Sequence, residues 1–341
     1  MKVADLWEYE KERKKSILVV QQNGLFLNGL TSDHKKNRMV VLEAVKNNGM
    51  ALQYAHEIMK SNKTIVENAI IQNINSLEFI SKSLTNDDIF MTSMIKKHSP
   101  ELIKVSSENL KNDEFLMKQI LRKDGKLLEY ASKKIKDSEA LVKIAIQNDF
   151  NSFKFCSSKL KNEKSMVTFG LKYHASIFQY ASNTIREDKK YIQNQLKKNP
   201  QIISFISQKL LDDSNFINSM LRYRIYPYLP IQLRDNKEIT LQALTQNGLH
   251  LEFTTENLAN DIEVVTTAVK ENGTSYLYIS ENLKSNCEIA MIAVKKNKQI
   301  FKVLIDELKL NPLISMTHDG MYLSLKPNHN NLIDINFKFR N

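Results

Sequence analysis

The feature that most constrains this chain is a repeat. A large apolar residue recurs at Tyr54, Phe79, Val105, Tyr130, Phe155, Tyr180, Phe205, Leu229, Phe253, Tyr278 and Val303, at intervals of roughly 25 residues. Five residues after most of these anchors stands an aliphatic residue: Leu84, Leu110, Ile135, Leu160, Ile185, Leu210, Leu258, Leu283 and Leu308. Two registers repeating in phase define a tandem array, and the array excludes any fold with a single irregular core.

Upstream of each anchor, two pairs of apolar residues are separated by two positions. Examples are Val40, Val41, Ala44 and Val45, and Val264, Val265, Ala268 and Val269. That spacing occupies one face of a 3.6-residue helix, here called helix A. Asn23-Gly24, Asn48-Gly49, Asp124-Gly125, Asn247-Gly248 and Asn272-Gly273 follow it and use five of the eight glycines. This reads as a stop signal in which glycine takes the left-handed conformation beyond the helix end. Pro100 and Pro200 stand in the same turn where glycine is missing.

A short helix B of little more than two turns is predicted next, as over 127–134 or 152–159, with the anchor on its buried face. Small residues follow the anchor (Ala131, Ser132, Cys156, Ser157, Ala181, Ser182), which suits close helix approach. Linking residues Asp87, Asp113, Asp137, Asp188, Asp213, Asp235 and Asp261 read as start signals for the next helix A.

Helices this short are not stable alone, so the units must stack. The expected fold is all-α: an α-solenoid of about twelve two-helix repeats of roughly 25 residues, with contacts mainly between neighbours. Residues 1–13 are expected to be an N-terminal capping segment, 14–311 the repeat array, and 312–341 a C-terminal cap or tail. Alternation over 321–325 and 332–339 around Pro327-Asn328-His329-Asn330 reads as a small β-hairpin.

Units such as 260–286 (NDIEVVTTAVKENGTSYLYISENLKSN) and 126–148 (KLLEYASKKIKDSEALVKIAIQN) resemble the tandem helical repeat family called domain of unknown function 4116. The shared marks are the AV-K-NG end of helix A, the aromatic-AS step in helix B and the L-K-D link, in phase over roughly 14–311. The resemblance implies tandem helical units and no established activity. The departure is greatest over 214–234, where the turn lacks NG and helix B lacks the aromatic-AS step.

Two cysteines, Cys156 and Cys287, form no CxxC pair, and no His/Cys cluster has metal-ligand spacing. Catalytic motifs are absent, so no enzyme activity, cofactor or metal is expected. The seven histidines are scattered and read as structural or surface residues. No apolar run is long enough to span a membrane and no signal segment is evident, which fits a monomeric cytoplasmic protein.

Net charge is +11. Cations recur before the turn (Lys46, Lys96, Lys97, Arg122, Lys123, Lys197, Lys198, Arg222, Lys270, Lys295, Lys296). They recur again in the link (Lys60, Lys111, Lys136, Lys161, Arg186, Arg234, Lys284, Lys309). Stacked, they would form basic ridges able to follow a phosphate backbone or an acidic peptide. A second candidate surface gathers Arg222, Tyr223, Arg224, Tyr226, Tyr228 and Arg234 in the irregular unit, where aromatic rings and cations could stack on and pair with a partner.

The leading expectation is a non-enzymatic scaffold that binds protein partners along the solenoid surface. The alternatives are nucleic-acid binding through a basic ridge, and a secreted effector or enzyme with a site assembled on the concave face.

Overall fold

In each repeat the chain starts a helix where a side chain can accept the first free backbone N–H groups. In the computed structural model, Asn37 accepts from Met39 and Val40, Asp87 from Phe90, Asp113 from Leu116 and Asp261 from Glu263 and Val264. The model describes residues 3–319, 321–327 and 333–339. Two of the expected start signals act otherwise. Asp137 and Asp235 end the preceding short helices and accept hydrogen bonds from Ser157 and Thr255 of the following repeat.

Helix A is seen as in Arg38–Asn47, Lys63–Gln72 and Ile262–Glu271, ten residues each. The four apolar positions face inward: Val40, Val41, Ala44 and Val45 are 0% exposed, and so are Val264, Val265, Ala268 and Val269.

Helix B is not one helix. Residues Gly125–Tyr130 form a six-residue 3-10 helix, Ala131 and Ser132 are extended, and Lys133–Lys136 form a single α turn. The break has a cause. The Ser132 hydroxyl accepts from Ile135 N, its backbone N–H reaches the Lys111 carbonyl of the preceding repeat at 3.0 Å, and a residue inside a continuous helix could do neither. A regular repeat therefore has three helical segments.

Because a 3-10 helix turns every three residues, its buried positions lie three apart. Leu52 and Ala55, Leu128 and Ala131, Phe153 and Cys156, and Phe178 and Ala181 are buried. The aromatic anchors Tyr54, Tyr130, Phe155 and Tyr180 lie between these positions and are only half-buried. The expectation that the anchors fill the core is thus corrected: residues one after and two before them do so. The aliphatic positions Leu84, Leu110, Ile135 and Leu160 are buried as the spacing predicts.

The backbone packing divides the chain into Met1–Ser182 and Asn183–Asn341. Within the first unit, Val3–Gln22 packs on Arg38–Asn47, that helix on Lys63–Gln72, and Glu114–Lys123 on Glu139–Asn148. Within the second, Lys237–Gln246 packs on Ile262–Glu271 and that helix on Cys287–Lys296.

Glycine sets these close steps, though not by a left-handed backbone. The only non-glycine residue with positive φ among the described residues is Arg224, at 60°, and none of Gly24, Gly49, Gly125, Gly248 and Gly273 has a positive φ. Each is the first residue of a 3-10 helix, capped by the preceding Asn or Asp. A methyl on any of them would strike a backbone carbonyl of the next helix A, at Ala44, Ala69, Ala145, Ala268 and Ala293 respectively. Every one of these glycines thus faces an alanine twenty positions on. Where the turn carries Ile74 or Pro100, the facing residue is Met94 or Ile120, and the two long helices do not approach as closely. The step at Phe150 reverses the sizes, with Gly170 on the facing helix.

Polar side chains join repeat to repeat. The backbone N–H groups of Ser132, Ser157 and Ser182 donate to the carbonyls of Lys111, Lys136 and Lys161, and in the second unit Ser280 donates to Ala259. The hydroxyls of Ser132, Ser157 and Ser280 donate to Asn112, Asp137 and Asn260 at 2.8, 2.5 and 2.6 Å. The Ser157 hydroxyl holds the Asp137 carboxyl below the ordinary value. Ser132 and Ser157, read in the sequence as small spacers, are both helix caps and rungs of an inter-repeat ladder. At the turns, Asn47 and Asn148 accept from Gly24 and Gly125 N–H and donate to Gln21 and Arg122 carbonyls.

No described helix is long and apolar enough to cross a membrane. At the C-terminal end, Met321–Pro327 runs antiparallel to Ile333–Phe339, with Leu323 opposite Phe337 in register. The turn expected at Asn328, His329 and Asn330 lies outside the described residues.

Candidate functional site

The six residues singled out in the irregular unit do not converge. Residues Ser214–Met220 and Leu221–Tyr223 run on without a turn, the chain reverses at left-handed Arg224, and Tyr226–Tyr228 and Ile231–Arg234 follow. Tyr226 is fully buried, its hydroxyl 2.8 Å from Thr240 Oγ1 and 3.2 Å from the Arg234 carbonyl. Burial pushes its phenol up to about 12. The Arg234 guanidinium donates to the Phe253 carbonyl of the next repeat at 2.7 Å. The Arg222 guanidinium lies 5.1 Å from the Tyr223 ring centroid, and Tyr223 accepts from Gln193. Arg222, Arg224 and Tyr228 reach solvent. Tyr226 is thus an interior part of the repeat and Arg234, half-buried, is tied to the next repeat, while the other cations and Tyr228 lie outside.

His250 stacks on Tyr226, ring centroids 5.5 Å apart, and is 5% exposed. Burial first, and nearby Arg224 to a lesser degree, lower its pKa from 6.5, against a backbone hydrogen bond at Ala243 that raises it. The neutral imidazole is therefore the folded form. Its stabilisation is complete above 6.5 and is lost as pH falls through the lower folded value. Urea midpoints measured between about pH 7 and 5 are expected to fall more steeply for the wild type than for His250→Leu. Equal slopes would remove His250 as the cause.

The two sets of cations have different fates. In the link, Lys60, Lys111, Lys284 and Lys309 pair with Glu57, Glu108, Glu281 and Asp306 one turn away. Lys136 and Lys161 donate to the carbonyls of Glu129 and Lys154, both at 2.5 Å, and burial lowers the Lys136 pKa. Arg186 and Arg234 reach forward to the carbonyls of Phe205 and Phe253. The predicted link ridge is therefore tied up within and between repeats: four of these cations meet a carboxylate one turn away, and the other four meet backbone carbonyls, which residue type alone does not announce as partners.

Before the turn, the cations are exposed. In the first unit Lys46 and Lys97 pair with Glu43 and Glu67. The side chains of Lys96, Arg122 and Lys123 are exposed and reach no carboxylate among the described residues. They stand in the last turns of their helices, where positive charge also complements the helix dipole. Two of them flank a cleft of about 120 Å³ between Asp88–Lys97 and Glu114–Lys123, lined by Ile95, Lys96, Pro100, Leu116, Gln119, Ile120 and Lys123. This is the step at which Pro100 and Ile120 replace the glycine and alanine.

The comparisons with known proteins rest on the same register. Five segments, 16–60, 37–85, 87–136, 164–211 and 261–309, together well over half of the chain, match the family described as Domain of unknown function (DUF4116). The chain belongs to the DUF4116 family. Comparison with curated proteins and with solved structures finds no match. Each DUF4116 segment ends on the last residue of a four-residue helix, at Lys60, Thr85, Lys136, Leu211 and Lys309, and most span two structural repeats. The irregular unit 214–235 falls between DUF4116 segments, in agreement with its departure from the repeat.

The remaining reactive groups of this DUF4116 chain occupy structural positions. Cys156 is buried in the 3-10 core and its thiol is pushed up to about 12 by burial, which keeps it from the thiolate form that reacts. Cys287, half-buried, accepts a hydrogen bond from Asn311. His56 and His174 cap helices through Nδ1, and His98 meets Glu67 at 3.0 Å. Among the described residues no group of three or more His, Cys, Asp or Glu is placed to hold a metal ion.

Proposed function

We propose that the chain is a non-enzymatic scaffold whose repeats stack into an α-solenoid and bind a protein partner along its surface, with the C-terminal strand pair as an end cap. One observation carries this reading. The polar signature of the repeat is taken up in caps and in bonds within and between repeats, while large apolar side chains stay exposed at one register in three of the first unit's helices A: Met39 at 54%, Ile89 at 86% and Phe115 at 69%. These three residues occupy the position just before the buried pair, where the fold gains nothing from an apolar side chain. Recurrent exposed apolar residues are a mark of interaction surfaces.

The test is affinity capture of the full chain from its native cell extract with chemical cross-linking, followed by mapping of the cross-linked residues. Cross-links from a reproducible partner to the first unit are expected. A chain that stays monomeric and cross-links to nothing reproducibly would overturn the reading.

The exposed turn-side cations favour a second reading, binding of nucleic acid. Fluorescence anisotropy with a generic oligonucleotide, starting at about 50 mM salt, would then show binding that weakens steeply as salt rises. Absence of binding at low salt removes this alternative.

A further inference from the structure

Resting on the scaffold reading, we propose that the cleft between Asp88–Lys97 and Glu114–Lys123 is a docking groove for an acidic segment of a protein partner that inserts one aliphatic or small aromatic side chain. The groove exists because of a sequence exception. Pro100 offers no N–H for an amide clamp of the kind made by Asn47 and Asn148, and Lys123 stands where that amide would be. Ile120, in place of alanine, keeps the neighbouring helices apart.

The chemistry of the groove selects its occupant. Ile95, Leu116 and Ile120 are at most 3% exposed and form an apolar floor. A volume of about 120 Å³ is well below that of pockets for cofactor-sized ligands, roughly 300 Å³ and up, and is close to that of an apolar cavity that accepts one small ring. The cleft opens beside the carbonyl ends of two helices, where partial negative charge disfavours an anion inside. An apolar group therefore belongs in the cleft, and carboxylates belong outside it, on the unpaired ammonium groups of Lys96 and Lys123 and the guanidinium of Arg122. Phe115, exposed one turn before Gln119 on the same helix, extends the apolar contact.

The experiment pans a random-peptide display library against the full chain, and then measures the enriched peptides by fluorescence anisotropy. Two further proteins serve as comparisons: the double variant Lys96→Glu, Lys123→Glu, whose changes are at exposed positions, and Gln119→Trp, which fills the cleft from its outer wall. Circular dichroism checks that both retain the helical fold. Enriched peptides are expected to share one Leu, Ile, Met or Phe flanked by Asp or Glu. Affinity is expected to fall about tenfold or more in either variant, and equally when the apolar residue of the peptide becomes Ala.

Enrichment of peptides without that pattern, or affinity unchanged in both variants, overturns the proposal. So does equal binding of an all-polar acidic peptide, which would assign the effect to charge alone. If the peptides fail while a captured partner cross-links elsewhere on the first unit, the groove falls and the scaffold reading stands. If the peptides bind as described while no cellular partner is captured, the groove stands and the scaffold reading falls.

Discussion

Gly125→Ala is expected to destabilise the Met1–Ser182 unit by about 3 kcal/mol, the upper end of the usual cost of overpacking. The added methyl meets the Ala145 carbonyl oxygen and the Ser152 hydroxyl. A carbonyl in the middle of helix Glu139–Asn148 cannot rotate aside, so the step between repeats must open along its length. Opening it also strains the two bonds of Asn148, which accepts from Gly125 N–H and donates to the Arg122 carbonyl. Gly29→Ala is the internal control, since nothing lies within 4 Å of its added methyl. That variant should match the wild type or gain up to about 1 kcal/mol from the unfolded chain. Urea midpoints at unchanged m-value compare the two. Equal midpoints would show that the repeated glycine is not placed by the close approach of the next helix.

The second large effect concerns Tyr226, which the sequence offers as a binding residue and the structure buries. Tyr226→Ala is expected to cost about 3 to 5 kcal/mol, as for other fully buried aromatic side chains. The loss combines an empty ring site beside His250 with the removal of the hydroxyl at Thr240 and the Arg234 carbonyl. Tyr226→Phe separates the parts. The Thr240 hydroxyl keeps its own bond to the Arg234 carbonyl at 3.1 Å, so this variant should lose only about 1 kcal/mol. Tyr228→Ala, at a residue 37% exposed, should stay within about 0.5 kcal/mol of the wild type. A small effect of Tyr226→Ala on the urea midpoint would contradict the interior placement.

Much of the architecture was legible because it repeats. The apolar face of helix A follows from the 3.6 period, and Val40, Val41, Ala44 and Val45 are buried as that period requires. The caps at Asp87, Asp113 and Asp261 follow from the need to satisfy the first N–H groups of a helix. Helix B departs from the single α-helix that the sequence suggests because its buried positions do not keep an α period. The buried pairs Leu128 and Ala131, and Phe153 and Cys156, are spaced by three, which is the 3-10 signal and was present in the sequence. The glycine–alanine spacing of twenty was present too. Its meaning was hidden because a glycine after a helix has two explanations, backbone conformation and close approach, and only the neighbouring helix distinguishes them.

The candidate surface divides in the same way. The sequence by itself determined where cations recur, because periodicity places equivalent residues on equivalent edges. It could not determine which are free. Lys136, Lys161, Arg186 and Arg234 are tied to main-chain carbonyls, and a carbonyl has the same chemistry whatever side chain its residue carries, so no residue code announces it as a partner. Lys96, Arg122 and Lys123 stay exposed because their helix ends point to solvent. The cleft beside them exists because Pro100 and Ile120, on neighbouring repeats, replace the glycine and alanine that close other steps. The period fixed the repeat, and the contacts between repeats decided which of its residues remain available for a partner.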